Sequence, residues 1–287
     1  TGGVDVRGSA PGTRETDLFK AEKMVDKVHS VVLSGGSAFG LDAASGVMKY
    51  LEEKNIGLDV GITKVPIVAS AVIFDLNIGD FTIRPDFNMG YDAARRASVN
   101  ERGQGNIGCG MGATVGKILG PDNAMKSGIG SASMKLGELV VAAIVSVNCF
   151  GDVYEFTNNT QIAGAYDYKN KKLLNTVNIM KGKDINIDFP VTNTTIGVVA
   201  TNAIISKAEG NKVAQMAHNG FARSINPIHT MLDGDTIFTM ATNKVHSDVN
   251  LVGTVGSEVM SMAISNAIKA AEGYENILSY NDLHLIK

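Results

Sequence analysis

The pair Asn193-Thr194 stands directly before the apolar run 195–200, which is typical of a buried strand. Cleavage of the bond between them would make Thr194 a new N-terminus, with its hydroxyl beside its own α-amine. Such an amine, with a reference pKa of about 7.7–8.0, can take the hydroxyl proton near neutral pH and so activate the oxygen as a nucleophile. A polar turn before a strand uses the same two residue types, so this hypothesis needs support from elsewhere in the chain.

Two acidic residues, Asp233 and Asp235, come before the strand predicted at 236–240 and are separated by one glycine. Carboxylates two residues apart at the start of a strand could face one site, and they could pair with Lys117 and with a protonated α-amine. Asp and Gly are also common turn-forming residues, and the local sequence by itself favours a turn.

Lys117 and Asn148 are two further candidates. Lys117 lies in the apolar, glycine-rich stretch 108–117, so we expect it to be at least partly buried and to need a carboxylate partner. A surface lysine whose stem covers apolar neighbours is equally compatible with the local sequence. Asn148 ends an apolar strand, where asparagine usually forms a turn, but its amide could also donate to a developing oxyanion.

Motifs for phosphates and metals do not fit this chain. A phosphate-binding loop needs four residues between its outer glycines, whereas three separate Gly112 from Gly116, and Ile118 rather than Ser or Thr follows the lysine. The five histidines show no HxH or HxxxH spacing. We therefore predict a site without a metal or any other cofactor.

The composition excludes several classes of function. The chain has 287 residues, of which 44% are hydrophobic and 19% charged, enough for a substantial core. The net charge is −3 and there is no basic block, so nucleic acid is not an expected partner; the absence of a long uninterrupted apolar stretch argues against a membrane partner. The two cysteines indicate a reducing cytoplasm, although the chain starts at Thr1 rather than Met, which leaves export open.

The positions of these candidates depend on a mixed set of strands and helices. We predict strands at 29–33, 65–76 and 136–148, and two strands that end at 199–202 and 240–243. We predict helices at 38–53, 89–99, 207–222 and 257–271, the first with Ser37 as its N-cap, and an exposed polar loop at 166–188 that leads to Thr194. The order favours an α+β fold of two sheets packed face to face with helices outside.

Taken together, six segments resemble the L-aminopeptidase/D-esterase family, which includes β-peptidyl aminopeptidases and nylon-oligomer hydrolases. The resemblance covers almost the whole chain and is carried, in order, by residues 33–41, 65–76, 112–117, 148–153, 193–201 and 233–238.

The resemblance implies an αββα sandwich similar to that of N-terminal-nucleophile hydrolases but differently connected. It also implies a single αββα domain, cleaved into residues 1–193 and 194–287, in which Thr194 is the nucleophile. By position, Asp233 and Asp235 match the acidic pair of the nylon-hydrolase branch, Lys117 the site lysine and Asn148 the oxyanion asparagine.

The resemblance further implies short peptide or small amide substrates with a free amino end, and a homotetramer or larger assembly. One residue departs from the family pattern: Phe74 stands in the substrate pocket where characterised members place a tyrosine hydroxyl. Loss of one oxyanion donor can cost roughly 3–4 kcal/mol in the transition state.

Two other functions are weighed against this one. An acyltransferase resembling ornithine acetyltransferase would share a related fold and a threonine nucleophile, but the Ala-Thr-Met-Leu cleavage segment of that family is absent. A homologue that is never processed and does not catalyse is the second alternative, and Phe74 is the residue that favours it most.

Overall fold

The computed structural model describes residues 1–182 and 193–285. In chain order its strands are β1 Gly2–Val6, β2 Gly12–Arg14, β3 Ser30–Ser34, β4 Leu58–Asp59, β5 Lys64–Val65, β6 Val68–Val72, β7 Thr114–Val115, β8 Met125–Lys126, β9 Ile129–Leu136, β10 Leu139–Asn148, β11 Asp152–Glu155, β12 Thr160–Ala163, β13 Tyr166–Asp167, β14 Lys172–Leu173, β15 Thr194–Ala203, β16 Ile225–Asn226 and β17 Thr236–Val245. The α-helices are α1 Ala43–Glu53, α2 Phe87–Arg96, α3 Thr176–Met180, α4 Lys207–Ser224, α5 Val249–Ala270 and α6 Tyr280–Leu285. Short 3₁₀ helices cover Thr16–Phe19, Ser37–Asp42, Gly108–Gly110 and Pro121–Asn123.

The largest sheet has five strands in the order β1-β17-β15-β10-β9. All neighbours are antiparallel except β15 and β17, which run parallel with Val199 opposite Thr239. Strands β15 and β10 read as nearly continuous apolar runs because both of their faces are covered.

Two apolar layers show how the molecule is stacked. On β15, Val199 faces the core formed with α4 and α5, whereas Ile196 and Val198 face the other way, as the two-residue period of a strand requires. In the second layer, Ile196 and Val198 pack with Ala71 in β6 and with Ile73, which directly follows that strand. Strand β6 belongs to the three-stranded sheet β2-β6-β3. Helices α1 and α2 cover the outer face of that sheet. The predicted αββα sandwich is confirmed.

Helix α5 is long and apolar enough to cross a membrane by length and composition. However, 72% of its most apolar window is buried inside the protein, as in the core helix of a globular fold. Its glycines allow close packing: a Cβ on Gly253 would lie 2.4 Å from the sulfur of Met216 on α4. The prediction placed the start of this helix at 257, but the helix begins at Val249, where Asp248 caps the amides of Asn250 and Leu251.

The predicted helix N-cap at Ser37 is wrong. Ser37 has a φ of 54° and opens the 3₁₀ helix that precedes α1, and its side chain makes no cap hydrogen bond. A tertiary contact fixes this turn instead, because the Asp75 carboxylate accepts the Gly36 amide at 2.7 Å. The backbone at Gly40 also packs directly against that of Gly35: a Cβ on Gly40 would lie 1.8 Å from the carbonyl oxygen of Gly35.

The predicted exposed loop at 166–188 is also wrong over its described part. Residues 166–173 form the hairpin of β13 and β14, and α3 follows with Asn175 as its N-cap. Thr176 is buried because its amide and hydroxyl both donate to the buried Asp152 carboxylate. The remainder of that prediction, 183–188, lies outside the described residues.

The predicted strand 136–148 is confirmed over Leu139–Asn148, which form β10, whereas its first three residues are the end of β9 and the turn between the two strands. Strands β9 and β10 pair across a tight turn, where Gly137 takes a φ of 61° that suits glycine. Helix α2 begins at Phe87, two residues before its predicted start, because the Asp86 side chain caps the amide of Met89.

Candidate active site

Three strand ends converge on one edge of the five-stranded sheet. Strand β15 begins at Thr194, which pairs with Asn148 at the end of the antiparallel β10. Strand β17 runs parallel to β15, so the residues just before it lie at the same edge, where Asn193 forms an isolated parallel bridge with Asp233. The sheet topology therefore brings together residues that are far apart in the sequence.

The peptide bond between Asn193 and Thr194 is buried; the two residues are 3% and 4% exposed. The Thr194 hydroxyl donates to the Asn193 carbonyl oxygen, which is part of the bond that the sequence predicts to be cleaved. The same oxygen accepts the amide of Gly234 at 3.1 Å. A glycine is needed at 234, since a Cβ there would lie 2.8 Å from the Thr194 hydroxyl oxygen.

Asp233 is fully buried and accepts three hydrogen bonds. Its Oδ1 accepts the Phe150 amide at 3.3 Å, and its Oδ2 accepts the amide and the hydroxyl of Thr230 at 3.0 and 2.5 Å. Burial, and secondarily the nearby charge of Asp235, raises the pKa of Asp233 to about 6. These hydrogen bonds act in the opposite direction by favouring the carboxylate.

Asp235 is equally buried and holds the main chain next to the candidate nucleophile. Its Oδ1 accepts the Thr195 amide at 2.8 Å, and its Oδ2 accepts both the amide and Nδ1 of His229, at 3.1 and 2.8 Å. The two acids are thus held by the dipeptide His229-Thr230 and lie in one cluster with Thr194.

Sequence reasoning missed His229 and Thr230, because it tested the histidines only for metal spacing. A signal was available for Thr230: a threonine three residues before an aspartate commonly closes a local turn through side-chain bonds to the backbone. No comparable signal marks His229, whose contact with Asp235 depends on the conformation of the loop between them.

Lys117 is buried, as predicted, and lies against Asn148. Its Nζ donates to the side-chain and main-chain oxygens of Asn148, at 2.7 and 3.1 Å. Burial lowers the pKa of Lys117 to about 7, while the charges of Asp233 and Asp75 act through space to raise it. Of the predicted acidic pair, Asp233 therefore acts on Lys117 through its charge.

The amide group of Asn148 is oriented by its surroundings. Its oxygen accepts the Thr114 amide at 3.0 Å in addition to Lys117, which directs Nδ2 to the other side, where it donates to the Phe74 carbonyl at 2.9 Å. The predicted oxyanion role of Asn148 stays a prediction.

Lys126 supports the glycine-rich turn beside the site, and sequence reasoning did not single it out. It is fully buried, and its Nζ donates to three main-chain carbonyls, those of Gly110, Ala113 and Ser127. Burial lowers the pKa of Lys126 to about 8. Since Ala113 precedes the residue whose amide holds Asn148, this lysine fixes the turn that orients the asparagine.

A cavity of about 310 Å³ opens beside the candidate nucleophile. It is lined by Thr194, Asn193, Phe74 and small or apolar neighbours, namely Ala10, Pro11, Gly12, Ser37, Ala38 and Val72. The predicted pocket residue Phe74 thus lies in the same cavity as Thr194. A larger cavity of about 460 Å³ runs between β3 and α2, and none of its lining residues belongs to the acidic cluster.

Within residues 1–182 and 193–285, no group of three or more His, Cys, Asp and Glu side chains could hold a metal ion. What the described residues offer is a buried hydroxyl on a peptide carbonyl, a backbone amide on the same carbonyl oxygen, and two carboxylates alongside. These groups are the parts needed for acyl transfer to a threonine hydroxyl.

The fold matches that of a known group of hydrolases. The structure of the L-aminopeptidase D-Ala-esterase/amidase from Ochrobactrum anthropi, described as a new variant of the Ntn-hydrolase fold, superposes with a TM-score of 0.69 at 15% sequence identity. That match covers 99% of this chain and 79% of the other. The chain therefore has this variant of the Ntn-hydrolase fold.

The chain belongs to peptidase family S58, whose family model matches residues 1–278. An uncharacterised aminopeptidase of Mycobacterium leprae is 38% identical and covers 97% of this chain and 82% of its own length. A 6-aminohexanoate-oligomer endohydrolase of Agromyces sp. is 31% identical, over 93% of this chain and 76% of its own. The predicted resemblance is confirmed, and the protein is a hydrolase that acts on amide bonds.

Proposed function

We propose that this chain is a self-processing amide hydrolase in which Thr194 is the nucleophile, first toward its own Asn193–Thr194 bond and then toward substrate. The observation that carries the proposal is the contact of the Thr194 hydroxyl with the Asn193 carbonyl in a buried site. The carbonyl oxygen also accepts the Gly234 amide, which is positioned to stabilise negative charge that develops there.

The processing step is an acyl shift followed by hydrolysis. The hydroxyl oxygen attacks the Asn193 carbonyl carbon, the bond to the Thr194 nitrogen breaks, and the proton lost by the hydroxyl passes to that nitrogen, which becomes an amine. Water then hydrolyses the resulting ester, which yields an Asn193 carboxylate and a free Thr194 hydroxyl beside a free α-amine.

The same groups then act on a substrate amide. The α-amine takes the hydroxyl proton as Thr194 attacks, and it returns that proton to the leaving amine. The carboxylates of Asp233 and Asp235 stabilise the ammonium that forms in between. Lys117 balances their charge, and Asn148 is proposed to donate to the oxyanion. Water finally hydrolyses the acyl-enzyme, so the cycle needs no cofactor.

The cavity favours short, largely apolar acyl groups. Its described lining carries no Asp, Glu, Lys or Arg side chain, and its volume of about 310 Å³ admits a small residue or a linear aliphatic chain. We therefore propose short peptides or small linear amides as substrates. The free amino end and a cytoplasmic location both stay predictions.

Assembly as a homotetramer or larger oligomer is part of the same proposal. Large apolar side chains are exposed on and before α2, among them Phe81, Ile83 and Met89, which are 64%, 69% and 50% exposed. A second copy of the chain could cover such a surface.

Mass spectrometry under denaturing conditions tests the proposal directly. Purified active protein is expected to give two polypeptides, residues 1–193 and 194–287, because the buried hydroxyl is placed to attack the bond between them. Hydrolysis of short-peptide and small-amide anilides is measured on the same sample. Turnover by a single intact chain of 287 residues would contradict the mechanism.

Replacing Phe74 with Tyr is expected to raise kcat by roughly tenfold with little change in KM. The new hydroxyl would extend from a ring that lines the same cavity as Thr194, where it can recover part of the roughly 3–4 kcal/mol of one oxyanion donor. Steady-state kinetics on the processed enzyme measures the effect. The matched control is Phe156→Tyr, at a phenylalanine in the turn after β11 that does not line the cavity; an unchanged kcat in Phe74→Tyr would show that this hydroxyl does not reach the oxyanion.

A further inference from the structure

We propose that His229 is a positioning residue that fixes the Asp235 carboxylate and, through it, the main chain at the nucleophile. Asp235 is fully buried, and each of its oxygens has a separate task. Oδ1 accepts the Thr195 amide at 2.8 Å, whereas Oδ2 accepts the Nδ1 and amide of His229. The proposal rests on the proposed function, since the fixed amide matters to catalysis only if Thr194 is the nucleophile.

The hydrogen bonds define which nitrogen of His229 carries the proton. A carboxylate oxygen has no proton to donate, so its 2.8 Å contact with the ring requires the His229 tautomer in which Nδ1 carries the proton and donates. The backbone of His229 takes a φ of 59°, in the left-handed region that few side chains adopt. This conformation allows the amide and the ring of one residue to donate to the same oxygen.

Two aromatic rings pack against the imidazole of His229 and restrict its rotation. The ring of His218 meets the ring of His229 edge to face at 4.8 Å between centroids, and Phe221 lies behind at 6.2 Å. Burial lowers the pKa of His218 to about 3, so His218 is neutral, and its Nε2 donates to the Asp5 carbonyl at 3.1 Å. A neutral, anchored neighbour restricts rotation of the His229 ring without adding a positive charge beside Asp235.

The consequence of losing Nδ1 follows from the position of Thr195. Its amide is the first one after the nucleophile, so any rotation of the Asp235 carboxylate moves the start of β15 and the hydroxyl of Thr194. His229 does not line the cavity beside Thr194. Its loss should therefore lower kcat, which depends on alignment, much more than it alters KM.

Three substitutions separate the donor from the backbone. His229→Asn keeps a donor at the position of Nδ1 and suits a positive φ; His229→Gly suits the same φ but has no donor; His229→Ala lacks the donor and strains the backbone. We expect kcat of His229→Asn to stay within about threefold of wild type. We expect His229→Gly to lose roughly 10- to 100-fold in kcat, the equivalent of one hydrogen bond to a charged group, with KM nearly constant. His246→Gly, at an exposed histidine, is the control.

Hydrogen exchange at the Thr195 amide gives a readout that does not depend on activity. Amide-resolved ¹H–¹⁵N NMR should show faster exchange of this amide in His229→Gly than in wild type, and a wild-type rate in His229→Asn. If the wild-type chain is neither processed nor active, the proposed function fails, while exchange still tests the anchoring of Asp235. Equal kcat and equal exchange in His229→Gly and wild type, or equal damage in His229→Asn and His229→Gly, would overturn the positioning role.

Discussion

Replacing Thr194 with Val is expected to leave one uncleaved chain of 287 residues and to reduce amide hydrolysis by at least roughly 10⁴-fold. Valine has nearly the shape of threonine, so the substitution removes the hydroxyl that contacts the Asn193 carbonyl and little else. Without that oxygen, the acyl shift cannot start, and no N-terminal amine forms at 194. Denaturing mass spectrometry measures the cleavage, and anilide turnover measures the activity.

The neighbouring residue provides a matched control. Thr195 is as deeply buried as Thr194, but its hydroxyl has no hydrogen-bond partner among the described residues. Thr195→Val should therefore be processed and remain active. Processing of Thr194→Val at the normal rate would rule out Thr194 as the nucleophile of the cleavage. Loss of processing in both variants would point to packing at the start of β15 rather than to the hydroxyl.

The layer order was predictable because it follows from patterns along single segments. Strands with continuous apolar runs, separated by helices with a four-residue apolar period, leave few arrangements other than two sheets covered by helices. The sequence also contains a signal that relates β15 to β17, since both strands contain Ala-Thr-Asn near their ends. The structure sets these strands parallel with Thr201 opposite Ala241, one residue out of line with that repeat.

Errors arose where a tertiary contact decides the local conformation. Ser37 has the residue type of an N-cap, but the carboxylate of Asp75 accepts the amide of Gly36, 39 positions before it in the chain, and this contact changes the turn. Lys126 has no pattern of its own in the sequence, and only the closure of the turn at 110–113 over its ammonium group explains its burial. Such contacts leave no periodic signal.

The candidate site was predictable to the extent that its residues lie at ends of predicted elements. Asn148 ends β10, Thr194 begins β15 and Asp233 lies three residues before β17, and the resemblance to the family linked them before any geometry was known. The hydrogen bonds that hold the acids could not be foreseen in full. They come from a loop whose conformation depends on a left-handed residue at 229 and on contacts with α4.

Replacing Asp233 with Asn is expected to lower kcat by roughly 10³-fold, because the site loses the charge that stabilises the ammonium of Thr194 in the reaction. In the wild type the same charge sets a pH limit. The pKa of Asp233 is raised to about 6 by burial and by Asp235, so a second loss of activity, in addition to that caused by protonation of the Thr194 amine, should appear as the pH drops below about 6 and the carboxylate takes up a proton. A pH–rate profile measures this fall in activity at low pH. Asp235→Asn should move the fall to lower pH, because the charge of Asp235 is one cause of the raised pKa of Asp233.

The free energy of unfolding shows whether Asp233→Asn loses activity through its chemistry or through misfolding. A raised pKa means that the folded state binds the proton more tightly than the unfolded chain, whose pKa is near 3.8. The ionised carboxylate thus costs stability, and that cost accrues as the pH rises from about 4 to about 6. Asp233→Asn never incurs it, so its loss of activity should appear at neutral pH without a matching fall in the free energy of unfolding.

Asp152→Asn is the matched control for this experiment. Asp152 is also fully buried, also accepts three hydrogen bonds, from the Ala165 amide and from the amide and hydroxyl of Thr176, and has a pKa raised by burial. Its carboxylate holds α3 rather than Thr195 or Thr230. Asp152→Asn should therefore keep the acid limb of the wild-type profile, even if it unfolds more easily. If the fall in activity at low pH is unchanged in Asp235→Asn but shifted in Asp152→Asn, the titrating group is Asp152 rather than Asp233.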